Sequence, residues 1–144
     1  MNQNIFFILI FFILLFINLF WLNFKESFSN VLNFNVIIAD NEEKRKNGYM
    51  FRRKRLSDLE GMLFKYSEPQ IISLWMKNTY IPLDIIFLDK NMKIIGYVID
   101  TEPLSEKPLS IDKPSTYVLE MNGNSVFELD MKIGDTILFI DKNE

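Results

Sequence analysis

The sequence contains no cysteine and no histidine among its 144 residues. Without cysteine there are no disulfides, so an oxidising compartment is neither required nor excluded. The two absences together exclude Ser-His and Cys-His nucleophilic machinery, thiol redox chemistry and every usual zinc site. Carboxylates, Lys, Arg, Tyr and Ser/Thr are what remain for chemistry, and a metal would have to be a hard ion on oxygens. No metal and no cofactor are expected. Lys and Arg number 16 against 19 Asp and Glu, a net charge of −3, and this acidic balance argues against general nucleic-acid binding.

Apolar residues are plentiful, at 49% of the chain. Much of this is local. Residues 5–22, IFFILIFFILLFINLFWL, carry no charge, and Asn18 is their only strongly polar residue. As a helix the run would measure roughly 27 Å, just short of a hydrocarbon core of ~30 Å. No face of it is polar, which argues against a buried helix of a soluble domain. It reads as a membrane anchor or a signal-peptide core and is set aside from the fold. Ser27, Phe28 and Ser29 have the small-x-small form of a cleavage site, whereas the missing positive n-region and the bulk of the run favour an uncleaved anchor. The absence of Cys excludes a lipoprotein anchor, and Lys25 beside Glu26 gives little charge bias. The expectation is an anchor or signal with spacer over 1–29 and a single β-rich domain over 30–144. That domain would lie outside the cytoplasmic membrane, tethered by residues 5–22, or be secreted or periplasmic if cleaved. A monomer is favoured.

Residues 31–39, VLNFNVIIA, alternate and are β-branched, as a strand requires. DNEEKRKNG predicts a short helix, with Asp40 or Asn41 as N-cap and Gly48 as the stop. Residues 49–60 form an irregular or helical connection whose basic run, 52–55, reads as a solvated turn or a site for anionic lipid or phosphate. Strands are predicted over 61–66, 71–77, 83–89, 92–99, 116–121 and 136–141, with Lys90 and Asn91 in a tight hairpin. Residues 101–115 hold three of the five prolines and read as a long extended loop, a length often associated with function. A short helical turn is expected at 126–129. The fold class is mainly β (α+β): an antiparallel sandwich or barrel-like domain with one or two short helices, after an N-terminal hydrophobic helix.

The block LWMKNTYIPLDIIFLD, residues 74–89, places Lys77, Asn78 and Asp84 inside an apolar run, where a charge must be paired or used. Read as strands, 71–77 would put Ser73, Trp75 and Lys77 on one face, and 83–89 would put Asp84 with Ile86 and Leu88. The second strand is apolar on both faces, hence central. Candidate partners for Asp84 are Lys77, Asn78, Arg52 and the backbone N–H groups of residues 80–82. Asn78 and Thr79 can cap the turn leading to Pro82, and Asp135 after Gly134 reads as turn chemistry.

GYMFR (48–52), GMLF (61–64), WMKNTYIPLDIIFLD (75–89), YVLEMNG (117–123) and IGD (133–135) resemble, in order and spacing, the domain of unknown function 192 family of small bacterial and archaeal proteins. Tyr49 stands where that family usually has a leucine. The resemblance covers nearly all of residues 31–141 and implies a mostly β fold and export or membrane attachment, with no established activity.

Three functional readings follow. One is a binding module for a small polar ligand, such as a carbohydrate or envelope fragment, with a pocket built from Arg52, Trp75, Lys77, Asn78 and Glu120, and with Asp84 and Thr79 as structural polar residues. A second is a carboxylate-dependent hydrolase of the envelope using Asp84 and Glu120, which needs the two carboxyl groups about 5–10 Å apart beside a cleft. A third is an envelope accessory protein in which the block only holds the fold.

Overall fold

A computed structural model describes residues 3–25 and 30–142, with side chains over 7–19 and 30–142. The elements are α1 (Gln3–Lys25), β1 (Val31–Ala39), α2 (Glu42–Asn47), β2 (Glu60–Gln70), β3 (Leu83–Leu88), β4 (Ile94–Val98), β5 (Ser115–Asn122), α3 (Ser125–Glu128) and β6 (Thr136–Asp141). The described side chains of α1 are exposed throughout and span about 20 Å. Among the described residues no helix is long and apolar enough to cross a membrane. The suggested cleavage site at Ser27, Phe28 and Ser29 lies outside the described residues.

The domain is mainly β with short helices, as expected, and its six strands form one mixed sheet in the order β4-β3-β5-β2-β1-β6 rather than an antiparallel sandwich. β2, β5, β3 and β4 pair antiparallel, but β1 runs parallel to both β2 and β6. Parallel neighbours cannot be joined by a tight turn, so residues 40–59, with α2 among them, carry the crossover from β1 to β2. The sheet curls until its edges meet at one end. There Lys93 bridges Thr136, Ile94 N–H donates to the Asp135 carbonyl at 2.9 Å, and Gly134 N–H donates to the Ile94 carbonyl at 2.8 Å. The result is a half-barrel.

Residues 71–77 are not a strand. β2 continues through Ser67, Glu68 and Pro69 to Gln70, and beyond it only Leu74 forms a bridge, to Leu109. Both edges of β5 are already occupied by β2 and β3, so this apolar segment covers a face of the sheet instead, burying Ile72 and Met76. α2 forms as its caps require. The Asn41 side chain accepts from Lys44 N–H at 2.9 Å, and Gly48, at φ 46°, ends the helix in a conformation that disfavours a side chain.

Strand alternation sorts the core into two layers. Phe34, Val36, Leu63, Ile86, Leu88, Leu119, Met121 and Ile137 fill the concave side. Met62, Phe64, Ile85, Phe87 and Val118 line the convex side, under Tyr49, Leu56, Ile72, Met76 and Ile81 from the connecting segments. β3 is buried at every position, which explains its unbroken apolar sequence. Each such side chain stabilises the fold by about 1.5–3 kcal/mol.

Gly61 packs against β5 with no room for a side chain. A Cβ there would lie 2.8 Å from the Glu120 carbonyl oxygen and 2.8 Å from Leu119 Cδ1. The carbonyl belongs to the ladder and cannot move aside. Gly61→Ala is expected to lose about 1–3 kcal/mol, read as a lower urea midpoint with an unchanged slope.

Candidate functional site

The convex layer is broken by one carboxylate. Met62, opposite Glu120 in the register, shares its face, and Glu120 is only 5% exposed. Glu120 forms part of the lining of a cavity of about 490 Å³ between the sheet, α2 and the covering segments. Its Oε2 has no hydrogen-bond partner, and neither does the hydroxyl of Tyr49 from the same lining. Gly48 closes over Glu120: a Cβ there would stand 3.5 Å from Oε2 and 3.4 Å from the Phe64 ring. Burial with no neighbouring cation pushes the Glu120 carboxyl up to about 8. Burial, with Glu120 nearby, also raises the Tyr49 phenol well above its usual value, and burial raises that of Tyr66.

The walls combine aromatic rings with charges. Arg45 of α2 stands 4.9 Å from the centre of the Tyr66 ring while its Nη1 donates to the Lys65 carbonyl at 2.9 Å. Lys77 lies 5.3 Å from the centre of the Trp75 ring and 3.5 Å from Glu106 Oε1. Both cations are thus engaged at the walls. Among the described residues no group of His, Cys, Asp or Glu could hold a metal ion.

Of the residues singled out in the sequence, Trp75, Lys77, Glu120 and Thr79 meet in this lining; Arg52 and Asn78 do not belong to it. Arg52 Nε donates to the Lys54 carbonyl at 3.0 Å and its guanidinium lies 5.6 Å from the centre of the Tyr49 ring. Asn78 makes a left-handed turn, φ 56°, and its carbonyl accepts from Phe51 N–H at 2.7 Å. The basic run also rests on side chains: Arg53 stacks 4.1 Å from the Tyr80 ring centre and Arg55 reaches Glu128 at 4.0 Å. Thr79 is buried and its hydroxyl donates to the Lys77 carbonyl at 3.4 Å.

Asp84 has a different role. It is fully buried, and Oδ1 accepts from the backbone N–H groups of Asp100 at 2.7 Å and Asn124 at 3.0 Å. Oδ2 accepts from Val126 N–H at 2.8 Å. Asn124, at the start of α3, makes no side-chain cap, and Asp84 supplies that function from β3. None of the partners suggested for it in the sequence is used. Asp84 also cannot act with Glu120. In the β3–β5 register Asp84 opposes Met121 and Ile85 opposes Glu120, so the two carboxylates point to opposite faces of the sheet. A paired-carboxylate hydrolase therefore has no geometric basis.

Sequence reasoning missed Arg45, Tyr66, Gly48 and Tyr49 as wall residues. The available signal was the glycine-tyrosine pair, which ends α2 directly over Glu120.

The model of domain of unknown function 192, described as an uncharacterized ACR, matches residues 24–139. The chain belongs to this family. A solved structure from Sinorhizobium meliloti 1021, provisionally described as a transcription regulator, is 36% identical with a TM-score of 0.68; the match covers 70% of this chain and 78% of that one. A protein of unknown function from Novosphingobium aromaticivorans DSM 12444 is 37% identical, also at TM-score 0.68, over 72% of this chain and 73% of that one. No curated protein matches the chain.

The Lys77–Glu106 pair is half-exposed on both sides, and such pairs contribute about 0–1 kcal/mol. Lys77→Ala is accordingly expected to leave the melting temperature nearly unchanged, whereas a protein unable to fold would show that Lys77 is structural.

Proposed function

We propose that this family member is a binding module for a small polar ligand, held at the outer face of the cytoplasmic membrane by its N-terminal helix. The observation that carries the binding reading is a cavity of about 490 Å³ with aromatic walls whose lining includes the buried acid Glu120, its Oε2 without a partner. A buried polar atom left without a partner costs about 1–3 kcal/mol, a cost that packing alone does not explain. Convergent polar groups among aromatic walls are the usual make-up of a small-molecule site. The test is a screen of polar fragments against the full chain, following the indole N–H of Trp75 by NMR. Hits should move that signal and lose affinity in Trp75→Ala, a change at a 42% exposed position that should leave the fold intact. Hits confined to other surfaces would refute the pocket.

The tether is supported by the uncharged run 5–22 and by the exposed apolar side chains of α1, Phe16 at 70% and Phe7 at 65% among them. Protease added to intact spheroplasts should digest the domain; digestion only after lysis would reverse the topology. The regulator role given provisionally to the Sinorhizobium protein draws no support from this chain's net charge of −3.

A further inference from the structure

One end of the sheet carries both exposed rings and a run of cations. β1 begins there at Val31, with only five residues between it and Lys25 at the end of α1. A chain of that length reaches at most roughly 20 Å. The crossover returns to the same end. Asn35 N–H, four residues into β1, donates to the Leu59 carbonyl at 2.9 Å. Leu56 N–H donates to Asn122 Oδ1 at 2.8 Å, where β5 ends. The basic run 52–55 lies just before these contacts, so the helix and the cations approach one end of the domain.

Two phenylalanines flank the run. Phe51 precedes it, 66% exposed and at φ 66°, a conformation that side chains other than glycine rarely adopt. Its N–H donates to the Asn78 carbonyl at 2.7 Å, which holds the turn in place. Phe127 is 84% exposed, more than any described apolar side chain of α1, and its neighbour Glu128 meets Arg55 at 4.0 Å. Glu128 and Asp58 offset two of the four cations. Arg53, stacked on Tyr80, and Lys54 both remain exposed.

We infer that, with residues 5–22 as the tether proposed above, this end of the domain docks on an anionic lipid surface, Phe51 and Phe127 entering the headgroup layer and Arg53 and Lys54 meeting lipid phosphates. Aromatic rings beside clustered cations are the composition of an interfacial site, and each cation adds attraction to an anionic bilayer. A dissolved phosphate would serve the cations but leave both rings in water. The chain as a whole has a net charge of −3, so such a surface attracts this end and repels the remainder.

The lack of cysteine allows a single labelled position at a time. The full chain is assembled into nanodiscs of phosphatidylcholine, with or without phosphatidylglycerol, carrying an environment-sensitive fluorophore on Phe51→Cys. The control is Ile71→Cys, 54% exposed just beyond the far end of β2. The probe at 51 should brighten and shift to the blue only in anionic discs, and the probe at 71 in neither. Arg53→Gln together with Lys54→Gln should lower the docked-to-free ratio about tenfold or more. An equal response at 51 in both discs, a response at 71 alone, an unchanged response in the double variant, or no response from a chain retained in the discs overturns the docking. Co-elution with neutral discs reads the tether separately. A chain that leaves neutral discs but binds and responds in anionic ones refutes the tether and sustains the docking surface, whereas a chain that leaves both refutes both.

Discussion

Asp84→Ala is expected to abolish cooperative folding at ordinary temperatures. The carboxylate accepts three backbone N–H groups, from Asp100, Asn124 and Val126, at a fully buried position. Alanine offers no acceptor and leaves a space too confined for all three donors to find water. Each buried donor left unpaired costs about 1–3 kcal/mol, and together they approach the whole stability of a small domain, about 5–15 kcal/mol. Asp84→Asn separates shape from charge. Its carbonyl can keep the two bonds made by Oδ1, but its amide nitrogen then faces Val126 N–H, donor against donor. The asparagine variant should therefore fold with a clearly lowered urea midpoint, between wild type and alanine. An Asp84→Ala protein with a midpoint near wild type would show that the end of α3 finds its caps elsewhere.

The second large effect is on the pH dependence of stability. In the folded protein burial raises the Glu120 carboxyl from 4.5 to about 8. The native state then holds a proton that the unfolded chain has released, throughout the interval between those values. Stability is fully present below about pH 4.5 and declines as pH rises toward 8, with a slope of about 1.4 kcal/mol per pH unit. The other shifted carboxylates act elsewhere. Asp40, hydrogen-bonded by Lys44, and Glu60, hydrogen-bonded by Lys142, are held below their usual values, and their contributions are lost only as pH falls through the acid range. Glu120→Gln keeps the shape without a titrating proton. It should flatten the dependence between pH 5 and 8 and leave the variant more stable than wild type at pH 8. Urea unfolding of both proteins at the two pH values is the check, and a slope retained by the glutamine variant would assign it to another group.

Much of the fold is legible because it is locally encoded. The alternation in residues 31–39, the two-sided apolar run of β3 and the Asn41 and Gly48 caps of α2 each announce an element that the structure contains. What is not legible depends on pairing at a distance. Nothing in β1 reveals that its neighbours are β2 and β6, both parallel to it. Residues 71–77 have the composition of a strand but meet a sheet whose ladder positions are filled, so they cover it. At the site, Trp75, Lys77 and Glu120 could be named from their types, since an aromatic, a cation and an acid sit in apolar runs. Arg45 could not, because its ring partner Tyr66 lies in the next strand, beyond the crossover. The role of Asp84 was legible as a need for partners, while the partners themselves are backbone groups of residues 100, 124 and 126, indistinguishable in sequence from any others.

The most direct measurement is the side-chain carboxyl carbon shift of Glu120, followed by ¹³C NMR from pH 4 to pH 9 in the full chain. A carboxyl that lies buried and without a cation beside the cavity should keep its protonated shift through neutral pH and titrate near 8. A Glu120 signal that titrates near 4.5, like an exposed glutamate, would mean that water or a cation already serves the carboxyl. The unpartnered acid on which the binding site rests would then not exist.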